Sequence, residues 1–187
     1  MNRIFSLLSA GIILLFSGCS FGENPLPDQK IQKILPPQEN IQLSQGKTFF
    51  GFLGNSLATL SPANPEEVIT VSVTPSYDPI SSVSLALQYD PKIISVSSLT
   101  SAEGVSPVFL GEKGEGKIHF TGILVPPLLG EDIPLFSFRV SPKSSEEVAE
   151  TKITFLPNEL SALLPDSKNT ETAVRTNLPE FSVLLSQ

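Results

Sequence analysis

The sequence predicts an all-β chain, an antiparallel two-sheet β-sandwich, and three observations carry that prediction. Hydrophobic residues after position 47 alternate with polar ones at a period close to two, the spacing that gives a strand one dry face. The alternating runs are short and are separated by clusters of Pro, Gly, Asn, Asp and Ser, which set turn dihedrals and interrupt hydrogen-bond ladders. No segment of this region shows a sustained helical period.

The first residues are of a different kind. Arg3 precedes a 13-residue apolar stretch, residues 4–16, which is shorter than the ~20 residues a helix needs to cross hydrocarbon. The layout is that of a secretion signal. It ends in Leu15-Phe16-Ser17-Gly18-Cys19-Ser20, and this run resembles the lipobox of bacterial lipoproteins, with Phe16 where Leu is commoner. The resemblance implies cleavage after Gly18 and a lipid on Cys19. Residues 1–18 are then a signal peptide. Cys19 is the only cysteine, and acylation accounts for a thiol that has no disulfide partner in the chain. Two or more acyl chains at about 0.8 kcal/mol per buried CH₂ give lasting attachment, so membrane association is expected through the lipid on Cys19. Ser20, in place of Asp, resembles the outer-membrane sorting signal of hosts with two membranes.

Residues 19–46 read as the lipidated N-terminus and a spacer. Pro25, Pro27, Pro36 and Pro37 stand among Asp, Glu, Lys, Gln and Asn, a composition that buries little. Ile31, Ile34 and Leu35 at helical spacing leave a short helix over residues 29–35 as the alternative.

Residues 47–187 form the sandwich domain. Ile69, Val71 and Val73 give one dry face, and Val83, Leu85, Leu87 and Tyr89 a second. The pattern recurs at Ile94 and Val96, Ile118 and Phe120, Phe136, Phe138 and Val140, Ile153 and Phe155, and Phe181, Val183 and Leu185, which makes at least seven strands. Turns are expected at residues 75–79, Asp90-Pro91, residues 111–116, Pro126-Pro127, Ser141-Pro142 and Pro157-Asn158. A domain of this size buries enough surface to need no disulfide.

Several function classes lose their footing on composition. With 19 acidic against 12 basic residues and a formal net charge of −7, the chain has no electrostatic means of holding a phosphate backbone, so nucleic acid is not an expected partner. One Cys and one His cannot supply a Cys-rich zinc site, a CxxC redox pair or a multi-histidine metal centre. Residues 111–117 have P-loop spacing, but Ile118 follows Lys117 where Ser or Thr is needed, and Glu112 and Glu115 repel phosphate. Ser44 and Lys47 make an isolated Ser-x-x-Lys. Residues 166–171 lack the Gly and alternating acids of a calcium loop. Glu66-Glu67 and Glu146-Glu147 read as turn charges that keep strand edges solvated. No nucleophile, base and acid can be assembled, and neither an enzyme nor a bound cofactor is expected.

The strand content bears a likeness of its own. Ile69-Thr70-Val71-Ser72-Val73, then Val83-Ser84-Leu85-Ala86-Leu87-Gln88-Tyr89-Asp90-Pro91, then Gly116-Lys117-Ile118-His119-Phe120, then Ile133 to Val140 resemble, in order and spacing, the cohesin domain. The likeness runs from about residue 68 to 183, and the strand ending in Tyr-Asp-Pro is its most specific element. Physically, Tyr89 should close the inner face of its strand while Asp90-Pro91 starts a turn.

The resemblance implies a nine-stranded jelly-roll sandwich whose relatives bind dockerin modules through one sheet face, within a fold group that includes carbohydrate-binding modules. Carried over by position, that face comprises Ser82, Ser84, Ala86 and Gln88 with Lys117, His119 and Thr121. It is small and polar and lacks the Trp, Tyr and Arg anchors that dominate protein interfaces.

The expectation is therefore a lipid-anchored, non-catalytic envelope module of the cohesin type that holds a protein partner, dockerin-bearing by resemblance. Two alternatives stand beside it. One is a carbohydrate-binding module for a polysaccharide, favoured if Tyr77 or Phe49, Phe50 and Phe52 prove exposed beside polar residues. The other is a purely structural envelope lipoprotein.

Overall fold

The computed structural model describes residues 42–143, 150–165, 170–174 and 177–186. Cys19, the spacer, its alternative helix, residues 166–169 and Glu146-Glu147 lie outside the described residues. Among those described there is no α-helix. The strands are β1 (Gln42–Phe52), β2 (Leu57–Leu60), β3 (Glu67–Pro75), β4 (Ile80–Gln88), β5 (Ile94–Ser101) and β6 (Val105–Glu112). They continue with β7 (Lys117–Leu128), β8 (Ile133–Pro142), β9 (Glu150–Phe155), β10 (Ser161–Leu163), β11 (Thr170–Val174) and β12 (Glu180–Leu185). A single 3₁₀ turn, Pro157–Glu159, separates β9 from β10.

Pairing sorts the strands into two layers. The first runs β6-β7-β4-β9-β12-β2 and the second β5-β8-β3-β1-β11, with β10 bonded to β4 of one and β11 of the other. The alternating apolar residues point between the layers. Phe120 of β7 stacks on Phe136 of β8 at 4.9 Å, and Phe52 of β1 meets Phe155 of β9 at 5.0 Å and Phe181 of β12 at 5.4 Å. Leu85, Leu87, Ile118, Phe120, Phe136, Phe138 and Val140 are all essentially inaccessible. Each buried Phe, Leu or Ile contributes about 1.5–3 kcal/mol relative to exposure, so this interior supplies the main favourable free energy. Buried polar side chains are partnered as well: Thr48 of β1 and Thr172 of β11 bond hydroxyl to hydroxyl.

Four details depart from the sequence reading. The first strand begins at Gln42, inside the segment assigned to the spacer, because residues 42–44 pair with Thr170, Glu171 and Thr172. That partner lies far along the chain, and no local pattern announces it. Two ladders, β1–β11 and β12–β2, are parallel and not antiparallel. They join strands distant in sequence, so no tight hairpin dictates their direction. Pro126-Pro127 lies within β7 instead of in a turn. The β4–β7 register shifts between Ile80–Leu128 and Ser82–Ile123, so the prolines occupy an irregularity where a missing N–H costs no ladder bond. Finally, Ser141-Pro142 closes β8.

The other turns fall where expected. Asp90 Oδ1 accepts the Lys92 N–H at 2.9 Å, and the Asp90 carbonyl accepts from Ile93 and Ile94. Exposed edges are blunted. β6 carries Pro107 and a shift before Phe109, and β5 carries an irregularity with Ser98 at φ 52°.

Candidate functional site: the outer face of β6, β7 and β4

In the β4–β7 ladder Leu85 stands opposite Phe120 and Leu87 opposite Ile118, and these point inward. The period of two then turns the intervening pairs outward: Ser84 with Thr121, Ala86 with His119, and Gln88 with Lys117. Ser82 precedes them on the same face. All seven residues of the sequence-based face therefore share one phase of the β4–β7 ladder, opposite to that of Leu85, Leu87, Ile118 and Phe120.

They are not equally available. The Ser84 and Thr121 hydroxyls bond to each other at 3.0 Å, and Ser82 and Ser84 are half-buried. Ala86 has no accessible surface and cannot contact a partner, contrary to the expectation for it. The cause lies in how the neighbouring strand is broken. β9 pairs with β4 only at Leu87 and Gln88, then leaves the ladder, and β10 resumes pairing at Ser84, Val83 and Ser82. The 3₁₀ turn fills the gap, with the Leu156 N–H donating to the Ala86 carbonyl at 2.9 Å.

Glu159 of that turn reaches β7 on the far side of β4. Its carboxylate stands 3.4 Å from His119 Nδ1 and 4.0 Å from Lys117 Nζ. Crossing β4 requires a small residue at the crossing, and Ala86 provides it. Lys117, His119 and Glu159 therefore form a polar cluster that covers this half of the face.

The β6 side is different. Val108 is 66% exposed, Phe109 46%, Ile123 45% and Val125 64%. Phe109 lies against the space above Gly111, where a Cβ would stand 3.5 Å from its Cζ, so the ring lies along the strand. Phe109 pairs with Thr121, and Ser106 with Ile123. The residues missing from the sequence-based face are thus its apolar ones. Ile123 and Val125 continue the outward phase of Lys117, His119 and Thr121, and that signal was present in the sequence. Val108 and Phe109 are exposed in succession because the shift after Pro107 breaks the alternation.

Beyond the end of β4, Tyr89 is buried as expected, and its hydroxyl donates to Glu112 of β6. Burial raises the phenol well above the ordinary tyrosine value, and the hydrogen bond and negative charge of Glu112 raise it further. The aromatics considered for sugar stacking separate. Phe50 and Phe52 belong to the core, while Tyr77 is 78% exposed in the β3–β4 turn.

Comparison with solved structures agrees with this architecture. The sixth cohesin of Acetivibrio cellulolyticus scaffoldin B, solved in complex with a Cel5 dockerin, superposes with a TM-score of 0.57 at 15% identity, covering 75% of this chain and 99% of that one. The cohesin module of a Clostridium perfringens family 33 glycoside hydrolase gives 0.56 at 12% identity over 74% and 98%. A non-cellulosomal cohesin from the archaeon Archaeoglobus fulgidus gives 0.53 at 13% identity over 77% and 93%. No family model matches the chain, and no curated protein matches it in sequence. The chain has the cohesin fold, an all-β jelly-roll sandwich.

Proposed function

We propose that this chain is a non-catalytic, protein-binding module of the cohesin type, carried on a lipid-anchored spacer at the bacterial cell envelope. The observation that carries the reading is the exposed apolar strip of Val108, Phe109, Ile123 and Val125 beside a polar surface. Apolar surface next to a polar one is the make-up of a protein interface, and a Phe can act as its anchor. Support comes also from relatives of the same fold that were solved with dockerins bound. The partner proposed is dockerin-bearing.

The lipid on Cys19, and outer-membrane placement in a host with two membranes, rest on the lipobox resemblance. Replacing Cys19→Ser should leave the precursor unprocessed or the protein released from the membrane, and normal processing with retention would refute the anchor. For the face, the full chain is titrated calorimetrically with dockerin modules from the same genome. Saturable binding that disappears in a Phe109→Ser/Ile123→Ser double variant is the expected result. Absence of binding to all of them would overturn the reading in favour of a structural lipoprotein. One observation favours a second reading: Tyr77 is exposed in the β3–β4 turn and followed by Asp78, as a single sugar-stacking ring would be. Retardation in polysaccharide affinity gels, lost in Tyr77→Ala, would support it.

A further inference from the structure

A different opening lies at the other end of the sandwich. β1 starts beyond Pro75, because Thr48 pairs with Pro75 and Phe52 with Val71, whereas Gln88, Asp90 and the turn between β6 and β7 lie at the opposite end. There a cleft of about 770 Å³ opens between the start of β5, the end of β8 and the β6–β7 turn. Its size falls in the range of about 300–1,000 Å³ usual for small-ligand sites.

The two walls carry opposite charge. Lys92 and Lys143 stand on the β5–β8 side, and Glu112 and Glu115 on the β6–β7 side. Among the described residues the ion pairs within 4.0 Å are those of Lys117 and His119 with Glu159, Arg139 with Glu66, and Lys152 with Glu180, so no pair closes the cleft.

Both walls are held in place by the backbone. The Asp90 side chain fixes the Lys92 N–H, and the Lys143 N–H donates to the Ile93 carbonyl at 2.9 Å, which sets the two ammonium-bearing residues on adjacent chain segments. Opposite them, Gly116 adopts φ +75°, and its missing Cβ would lie 2.5 Å from the Tyr89 carbonyl oxygen. Only glycine lets the β6–β7 turn pack this closely. Tyr89 then orients Glu112 by donating to it. Among the described residues β5 is bonded to β8 along one edge only, and residues 94–96 of β5 line the cleft.

We infer that this cleft binds an extended peptide segment carrying both signs of charge, its cationic side chain against Glu112 and Glu115 and its carboxylate against Lys92 and Lys143. A polyanion that gained from the lysines would be repelled by the glutamates, and a polycation the reverse. An extended peptide also brings amide groups suited to an unladdered strand edge.

The test uses the full chain and three capped tetrapeptides: lysine-glycine-glycine-glutamate, the same with glutamine for glutamate, and the same with glutamine for lysine. Binding is followed by amide chemical shifts. The expected result is saturable shifts at Lys92, Glu115 and Lys143 with the doubly charged peptide. Each singly charged peptide should bind roughly tenfold more weakly, the equivalent of about 1.4 kcal/mol. Salt near 1 M, where the Debye length is about 3 Å, should weaken the interaction. A Lys92→Ala/Lys143→Ala variant, altered only at exposed positions, should lose it. Absence of saturable shifts, equal binding of the three peptides, or shifts confined to Phe109, Ile123 and Val125 would overturn the inference.

Discussion

The two halves of the β6–β7–β4 face are built on one ladder and end up with opposite surfaces. On the β4 side, outward residues are small or polar, and a 3₁₀ turn from the neighbouring strand lays Glu159 over them to meet His119 and Lys117. On the β6 side no further strand is bonded among the described residues, and Val108, Phe109, Ile123 and Val125 stay exposed. A pairing partner beyond β4 brings a cover, whereas beyond β6 the described residues leave apolar surface open. Strand phase decides which way a residue points, whereas the neighbour decides whether anything can reach it.

The largest effect expected from breaking this contrast is on association. Phe109→Ser with Ile123→Ser removes the apolar anchors of the open half and should weaken binding of the proposed dockerin-bearing partner by about 3 kcal/mol, since an interface anchor costs 2 kcal/mol or more on truncation. Thermal unfolding should change little by comparison. The matching change in the covered half, Ser82→Ala with Ser84→Ala, should leave affinity within a factor of about ten. Equal losses from the two pairs, measured by calorimetry, would erase the distinction between the halves.

The next effect is on the layer beneath. A Cβ at Gly122 would come 2.4 Å from Phe120 Cζ and 3.1 Å from Val105 Cγ1. Phe120 is fully buried and stacked on Phe136, so it has no easy retreat, and relief has to come from β6 moving outward. Gly122→Ala should destabilise by about 2 kcal/mol, within the usual cost of overpacking. Amide exchange should speed up in β6 before β4. The opposite order would mean that β6 is not the looser side.

This same contrast sets what could be read from the sequence. Alternation alone placed Ser82, Ser84, Gln88, Lys117, His119 and Thr121 on one face and Leu85, Leu87, Ile118 and Phe120 in the interior, because strand geometry is a local property. Tyr89 and Asp90-Pro91 were legible for the same reason. Ala86 was not: it is buried where a turn far along the chain bonds to it through the Leu156 N–H, at a break between β9 and β10 that no pattern around Ala86 records. β1 beginning at Gln42 and the direction of its pairing with β11 were hidden in the same way. Ile123 and Val125 were in phase and could have been read. Val108 and Phe109 required knowledge of the register shift after Pro107.

Tyr89 ties the halves together at the Asp90 end, since it follows β4 and donates to Glu112 of β6. Its folded value is raised by burial and then by Glu112. Above the ordinary tyrosine range near pH 10, the unfolded chain has released this proton while the folded chain keeps it, so the unfolded state binds fewer protons and stability falls as pH rises. The stabilisation is complete below the unfolded value and disappears as pH climbs through the folded one, at up to about 1.4 kcal/mol per pH unit for one proton. Denaturant titrations at increasing alkaline pH should show that slope. Tyr89→Phe should flatten it. An unchanged slope in the variant would show that the tie carries no proton-linked energy.

The smallest effect should come from removing the cover itself. Glu159 and Lys117 have side chains that are 38% and 40% exposed, so solvent screens their attraction and the contacts contribute under about 1 kcal/mol. Glu159→Ala should therefore change stability very little. It should instead release His119 and Lys117 from their shared carboxylate partner and open the covered half of the face. The expected readout is a shift of the His119 ring signals, unambiguous because the chain has a single histidine, together with faster exchange of the Leu156 amide that now bonds to Ala86. If those signals stay where they are, another group holds the turn against β4, and the difference between the halves does not originate in Glu159.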